Sequence, residues 1–171
     1  ETGPRVSRSR RVPIGIISCA VAGHSPLHAH LVLSSRFENI EVAERTLLDL
    51  CAEAGCEGED EYWLVTALRE AVANAVRHGN LQDAQRKVRV DLEIENRTVT
   101  MRIEDEGGGF DPAQVPDPTS PENLLRPNGR GIFYMRQFMD RVDFRKAPRG
   151  GTAVIMVRRL QPTARSTQHE E

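Results

Sequence analysis

From Val88 to Ile103 apolar and polar residues alternate, and this pattern constrains the fold more than anything else in the chain. Val88, Val90, Leu92 and Ile94 are separated by Arg89, Asp91 and Glu93, and after Asn96-Arg97 the alternation resumes with Val99, Met101 and Ile103. A period of two belongs to an extended strand, so the segment predicts an antiparallel hairpin with one apolar and one polar face. An apolar sheet face has to be covered, which requires a second layer.

The cover is written on both sides of the hairpin. Between Phe37 and Ala54 the residues Ile40, Ala43, Leu47, Leu50, Cys51 and Ala54 recur at spacings of three and four, an amphipathic helix stopped by Gly55, with Ser34 or Ser35 placed to cap it. A second helix is expected from about Glu59 to His78, with Leu64, Ala67, Leu68, Ala71, Val72 and Ala75 buried and Gly79 as its stop. Leu31, Val32 and Leu33 read as a short strand ahead of both. Beyond the hairpin, a third helix is expected from about Ile132 to Asp140, burying Ile132, Met135 and Met139. Strands at Val142 to Arg145 and Thr152 to Val157 follow, joined by the turn Pro148-Arg149-Gly150-Gly151. The expectation is an α+β two-layer sandwich, with helices on one face of a mixed, mainly antiparallel sheet. Residues 29–160 would form the domain, 1–28 a flexible basic extension and 161–171 a disordered tail.

A length of 171 residues suits one domain, and a formal charge of −2 offers no basic field for nucleic acid or an anionic membrane. Cys19, Cys51 and Cys56 are too few for a disulfide framework and contain no C-x-x-C pair, so they read as free thiols in a reducing cytoplasm. The apolar run from Val12 to Gly23 is interrupted by Pro13 and Gly15 and is too short to span a bilayer.

Four clusters carry chemistry. In E-A-V-A-N-A-V-R-H-G, Glu70, Asn74 and His78 fall at i, i+4 and i+8 and are expected to line one helix face at the edge of the core. An amide oxygen is a hard ligand for Mg²⁺ and a carboxylate can take a proton from an attacking hydroxyl, although a solvated polar face explains the spacing equally well. In D-E-G-G-G-F, Asp105 ends a strand and Gly107, Gly108 and Gly109 let a ligand approach the backbone; the carboxylate can accept from an exocyclic amine, and a tight turn is the plainer alternative. N-G-R-G-I places Gly129, Arg130 and Gly131 at a helix start suited to phosphate oxygens. Gly150-Gly151-Thr152 opens the last strand, where the Thr152 hydroxyl could reach the same base as Asp105. Pro112, Pro116, Pro118, Pro121 and Pro127 preclude a regular element between the second and third clusters, and such a segment can act as a lid. No G-x-x-x-x-G-K-[ST] occurs, which excludes a Walker-type site.

The order of these clusters, E-x-x-x-N on a helix, D-x-G-x-G after a strand, a proline-rich lid closing on G-x-G, and G-T on a final strand, resembles the GHKL superfamily of Bergerat-fold ATP-binding domains. Within it, E-A-V-A-N-A-V-R-H-G and G-R-G-I-F-Y-M-R-Q-F-M-D-R-V resemble the anti-sigma-factor serine/threonine kinases of bacterial partner switches. The resemblance covers roughly Leu31 to Leu160 and leaves the basic extension outside its pattern. It implies ATP with Mg²⁺, Glu70 as general base, Asn74 as magnesium ligand and His78 near the phosphates. It further implies Asp105 with Thr152 reading adenine, and Gly107, Gly109, Gly129, Arg130 and Gly131 shaping pocket and lid. An anti-anti-sigma-type protein would be the substrate and a sigma factor the sequestered partner, with the chain a homodimer making no direct contact with nucleic acid or membrane. Two other readings are a nucleotide-dependent binding module without kinase activity and a detached histidine-kinase catalytic domain. Glu70 argues against the first. The lack of helical period around His24, His28 and His30 argues against the second.

Overall fold

The computed structural model describes residues 26–109 and 130–161. The alternating segment forms the expected hairpin, β2 (Lys87–Glu95) and β3 (Thr98–Glu104), paired antiparallel from Arg89 opposite Glu104 to Glu95 opposite Thr98. Asn96 and Arg97 both take positive φ, 47° and 61°, which is the two-residue turn whose twist matches that of the strands it joins. β1 (Leu27–Ser34) lies on the outer side of β2, while β5 (Thr152–Arg159) lies beside β3 and β4 (Arg141–Lys146) closes the far edge. The order is β1-β2-β3-β5-β4, and every pairing is antiparallel.

β1 starts at Leu27, four residues before the apolar triplet Leu31 to Leu33 and just inside the segment expected to be extension. Its buried row is Ala29, Leu31 and Leu33, and the small Ala29 between two histidines hides the period. On its outward face His30 Nδ1 lies 2.6 Å from Asp91 Oδ1 of β2.

Among the described residues three helices cover the apolar face. α1 (Ile40–Ala54) follows a 3₁₀ turn at Phe37–Asn39 and ends at Gly55, whose φ of 66° lets the chain reverse. No side-chain cap forms at its start; instead the Asn39 amide donates to the Ser34 carbonyl and hydroxyl at 2.7 and 2.8 Å, tying the helix entry to the end of β1. α2 (Glu59–Asn74) runs into a π turn at Ala75–Gly79. α3 (Arg130–Phe138) buries Met135, with Met139 just beyond it, while Ile132 packs at the core margin. The core between the layers is built from Leu47, Leu64, Leu68 and Val72 of the helices against Val90, Leu92, Met101, Ile103 and Met156 of the sheet.

Two contacts align α2 with α3. Trp63 stacks on Phe138, and Glu70 Oε2 lies against the backbone of Gly131. Trp63 and Glu70 are seven residues apart, as are Gly131 and Phe138, so the pair runs antiparallel with contacts two turns apart on each helix. At the opposite end of the sheet Asp60, at the start of α2, accepts from Arg158 Nε at 2.8 Å and from the Gln161 backbone at 2.8 Å, so β5 is anchored to the helical layer. Among the described residues, no helix is long and apolar enough to cross a membrane.

Candidate functional site

Asp105 follows β3 and is 5% exposed. Its Oδ1 accepts from the Gly107 amide at 2.8 Å and the Thr152 amide at 3.1 Å, and its own amide donates to the Thr152 carbonyl at 3.0 Å. These bonds lock the carboxylate between the end of β3 and the start of β5. No donor among the described residues is directed at Oδ2, so one oxygen of an immobilised acid remains available as an acceptor. Burial pushes the Asp105 carboxyl above its usual pKa, against the opposing pull of the Gly107 and Thr152 amides.

Three glycines surround this carboxylate. A Cβ on Gly79 would lie 2.3 Å from Asp105 Cγ, one on Gly107 2.0 Å from the Gly79 carbonyl oxygen, and one on Gly151 2.2 Å from the Asp105 carbonyl oxygen. Gly151 also takes φ of 79°, which disfavours any side chain there. The end of the helix, the loop after β3 and the start of β5 therefore meet over atoms that only hydrogen at these positions permits. Gly107→Ala sets a methyl against backbone rather than a pliable side chain. It is expected to destabilise the fold by about 1–3 kcal/mol, read as a lower urea midpoint at unchanged slope; an unchanged midpoint would contradict this packing.

Asn80 holds the same junction from beneath. It is fully buried; its Nδ2 donates to the Lys87 carbonyl at 2.9 Å, and its Oδ1 accepts from the Glu106 amide at 2.8 Å. Glu106 in turn accepts from the Lys87 amide at 2.8 Å and from Arg89 Nη1 at 2.7 Å. Those bonds, led by Arg89, outweigh desolvation and hold the Glu106 carboxyl below its usual range. Gly79, Asn80 and Glu106 were not singled out from the sequence as site residues. Gly79-Asn80 is visible there only as a helix stop, and the signal that could have raised it is that an Asn side chain at such a stop substitutes for backbone partners.

The α2 wall is assembled in part. Glu70 and Asn74 are both half-buried and one helical turn apart, and Glu70 Oε2 would be 2.3 Å from a Cβ on Gly131, so the carboxylate rests on the first turn of α3. Beyond Asn74 the helix continues as a π turn at Ala75–Gly79, and His78, within that turn, is exposed. Gly109, with φ of 87°, lies beyond the three converging glycines. Gly129, the side chain of Arg130 and the proline-rich segment after Gly109 fall outside the described residues.

Asp105 and Thr152 at one end, with Glu70, Asn74 and Gly131 along α2 and α3, are thus set by four elements. Residues 33–158 match the family described as histidine kinase-like ATPase domain. The chain is 31% identical over 134 residues to the anti-sigma F factor of Bacillus subtilis, covering 77% of this chain and 91% of that protein. It is 37% identical over 102 residues to the anti-sigma F factor of Pasteuria penetrans, covering 56% of this chain and 66% of that one. A crystal structure of the RsbU and RsbW domains of a Mycobacterium tuberculosis protein superposes with a TM-score of 0.57 at 21% identity, over 80% of this chain and 32% of the longer one, a likeness of fold. The chain therefore belongs to the histidine kinase-like ATPase domain family, an ATP-binding family it shares with the anti-sigma F factors.

Proposed function

We propose that this protein is an anti-sigma factor of the partner-switch type. It binds Mg-ATP and phosphorylates a serine or threonine of an anti-anti-sigma-type protein, and in another state of the switch it holds a sigma factor. The observation that carries this reading is the fixed Asp105 carboxylate with one acceptor oxygen to spare, set at the same junction as Gly107 and Thr152. An acceptor held in this way suits the exocyclic amine of adenine, and the Thr152 hydroxyl completes the contact. Similarity to the anti-sigma F factors supports the choice of partners.

In the proposed mechanism Glu70 accepts the proton of the attacking hydroxyl. Asn74 would hold Mg²⁺ through its amide oxygen, and a bound ion would supply neutralisation of phosphate charge. Positioning by the protein would do most of the remaining work. His78, Gly109, Gly129, Arg130 and Gly131 belong to the phosphate side and lid in this reading, with Arg130 steadying the transferred group. Residues 29–160 form the kinase domain, with 1–28 an extension and 161–171 a tail. The working unit is a homodimer in the cytoplasm.

Asn74→Ala is expected to weaken nucleotide binding about tenfold in Mg²⁺ and little in chelator, since it removes an oxygen but no charge. Titration of parent and variant in both buffers checks this, and equal affinities in Mg²⁺ would remove Asn74 from the metal. The function itself is tested by incubating the chain with γ-labelled ATP and purified anti-anti-sigma-type domains from the same organism. Label on a serine or threonine of such a domain is expected. Binding without transfer would make the chain a nucleotide-dependent binding module, and label stable only as phosphohistidine would make it a histidine-kinase domain.

A further inference from the structure

A second feature lies at the end of the sheet away from Asp105. α1 closes through two backbone bonds, from Gly55 to the Ala52 carbonyl at 3.3 Å and from Cys56 to the Cys51 carbonyl at 2.8 Å. This is the closure in which the third residue from the helix end and the second residue beyond the cap usually make an apolar contact. Here the two positions are Cys51 and Cys56, 0% and 3% exposed, and a thiol pair stands in for that contact. The two thiols are also in hydrogen-bond contact with each other, the adjacency a disulfide requires.

The two thiols are not equivalent. Both belong to the core, but Cys56, with Gly55, Asp60, Ile94, Arg158 and Leu160, also lines a cavity of about 460 Å³, and Cys51 does not. Cys51 lowers the pKa of Cys56 by hydrogen bonding, with help from the Arg158 charge, while the same contact and burial push Cys51 up. A thiol lining a cavity, backed by a second thiol that does not reach it, is the arrangement of an attacking and a resolving cysteine.

The geometry points to Cys51 and Cys56 as an oxidisable dithiol, reached through this cavity and converted to an intramolecular disulfide by small-molecule disulfides. The Cys56 thiolate attacks one sulfur of the oxidant and expels the other half as a thiolate, which takes up a proton. Cys51 then gives up its proton and attacks Cys56 Sγ, and the second half leaves as a thiol. One oxidant disulfide is reduced to two thiols as one protein disulfide forms.

The test uses the full chain carrying Cys19→Ser, incubated with 2-hydroxyethyl disulfide in native buffer, with circular dichroism as the check of fold and peptide mass mapping as the readout. A folded product lighter by two hydrogens, cross-linked between Cys51 and Cys56, is expected. In its early time course the mixed disulfide should sit on Cys56, and with Cys51→Ala it should accumulate there. Cys51 in a Cys56→Ala variant should react at least about tenfold more slowly. Retention of both thiols in the folded chain, a cross-link formed only after unfolding, or an intermediate first trapped on Cys51 would each overturn the proposal. The time course on the chain with both cysteines decides the matter even if a single-alanine variant does not fold.

Discussion

Replacing Glu70 by glutamine is expected to leave ATP binding nearly intact and to lower phosphoryl transfer by about 10²–10⁴-fold, the range for a lost general base. Glutamine keeps the shape of the side chain and one carbonyl oxygen, so packing against Gly131 survives; what it loses is the capacity to take a proton. A companion variant separates the base from its placement. A methyl on Gly131 would meet the Glu70 tip at 2.3 Å, and because that tip is the far end of a flexible side chain it can move aside at little cost in stability. Gly131→Ala is therefore expected to lower transfer about tenfold through misplacement of the carboxylate, with the unfolding midpoint almost unchanged. Single-turnover transfer with saturating Mg-ATP measures both. Transfer by the Gln variant at the parental rate would place the base elsewhere.

Asp105→Asn should separate stability from recognition. The asparagine Oδ1 can keep the amides of Gly107 and Thr152, while its NH₂ replaces the acceptor Oδ2. In the parent the folded-state pKa is raised by burial, so the folded state disfavours the ionised form. For a raised pKa the group's favourable contribution is complete below its unfolded pKa and is lost as pH rises through the folded value, so Asp105 supports the fold less at high pH than at low. Asparagine has no ionised form to bury, so thermal stability should be unchanged or higher at pH 7. Adenine would then present its amine to a second donor in a buried place, a mismatch of about 1–3 kcal/mol, which is about 5- to 150-fold in affinity. Thermal melts with and without ATP check both halves. A variant that is less stable but binds ATP as tightly as the parent would give Asp105 a purely structural role.

Much of this was legible in the chain because it rests on periodicity. The hairpin, the helix stripes and the Gly55 stop each follow from local residue order, and the structure keeps all three. What escaped depends on neighbours distant in sequence. β1 reaches back to Leu27 because β2 offers partners up to Ile94, and no local alternation announces that. The helix start is tied by Asn39 to Ser34 rather than capped by a serine, a choice made by the approach of β1. The π turn at Ala75–Gly79 is invisible to a count at 3.6 residues per turn, and it ends where Gly79 must fit against Asp105. The three glycines converging on one carboxylate, and Asn80 beneath them, emerge only from the tertiary contact.

The account rests most heavily on Asp105 as a reader of adenine, and calorimetric titration of the unmodified protein with ATP and with GTP in Mg²⁺ tests this directly. Guanine would set a carbonyl against the fixed carboxylate, leaving two acceptors facing each other at a cost of about 1–3 kcal/mol. ATP is predicted to bind about 5- to 150-fold more tightly than GTP. Equal affinity for the two nucleotides would contradict the assignment.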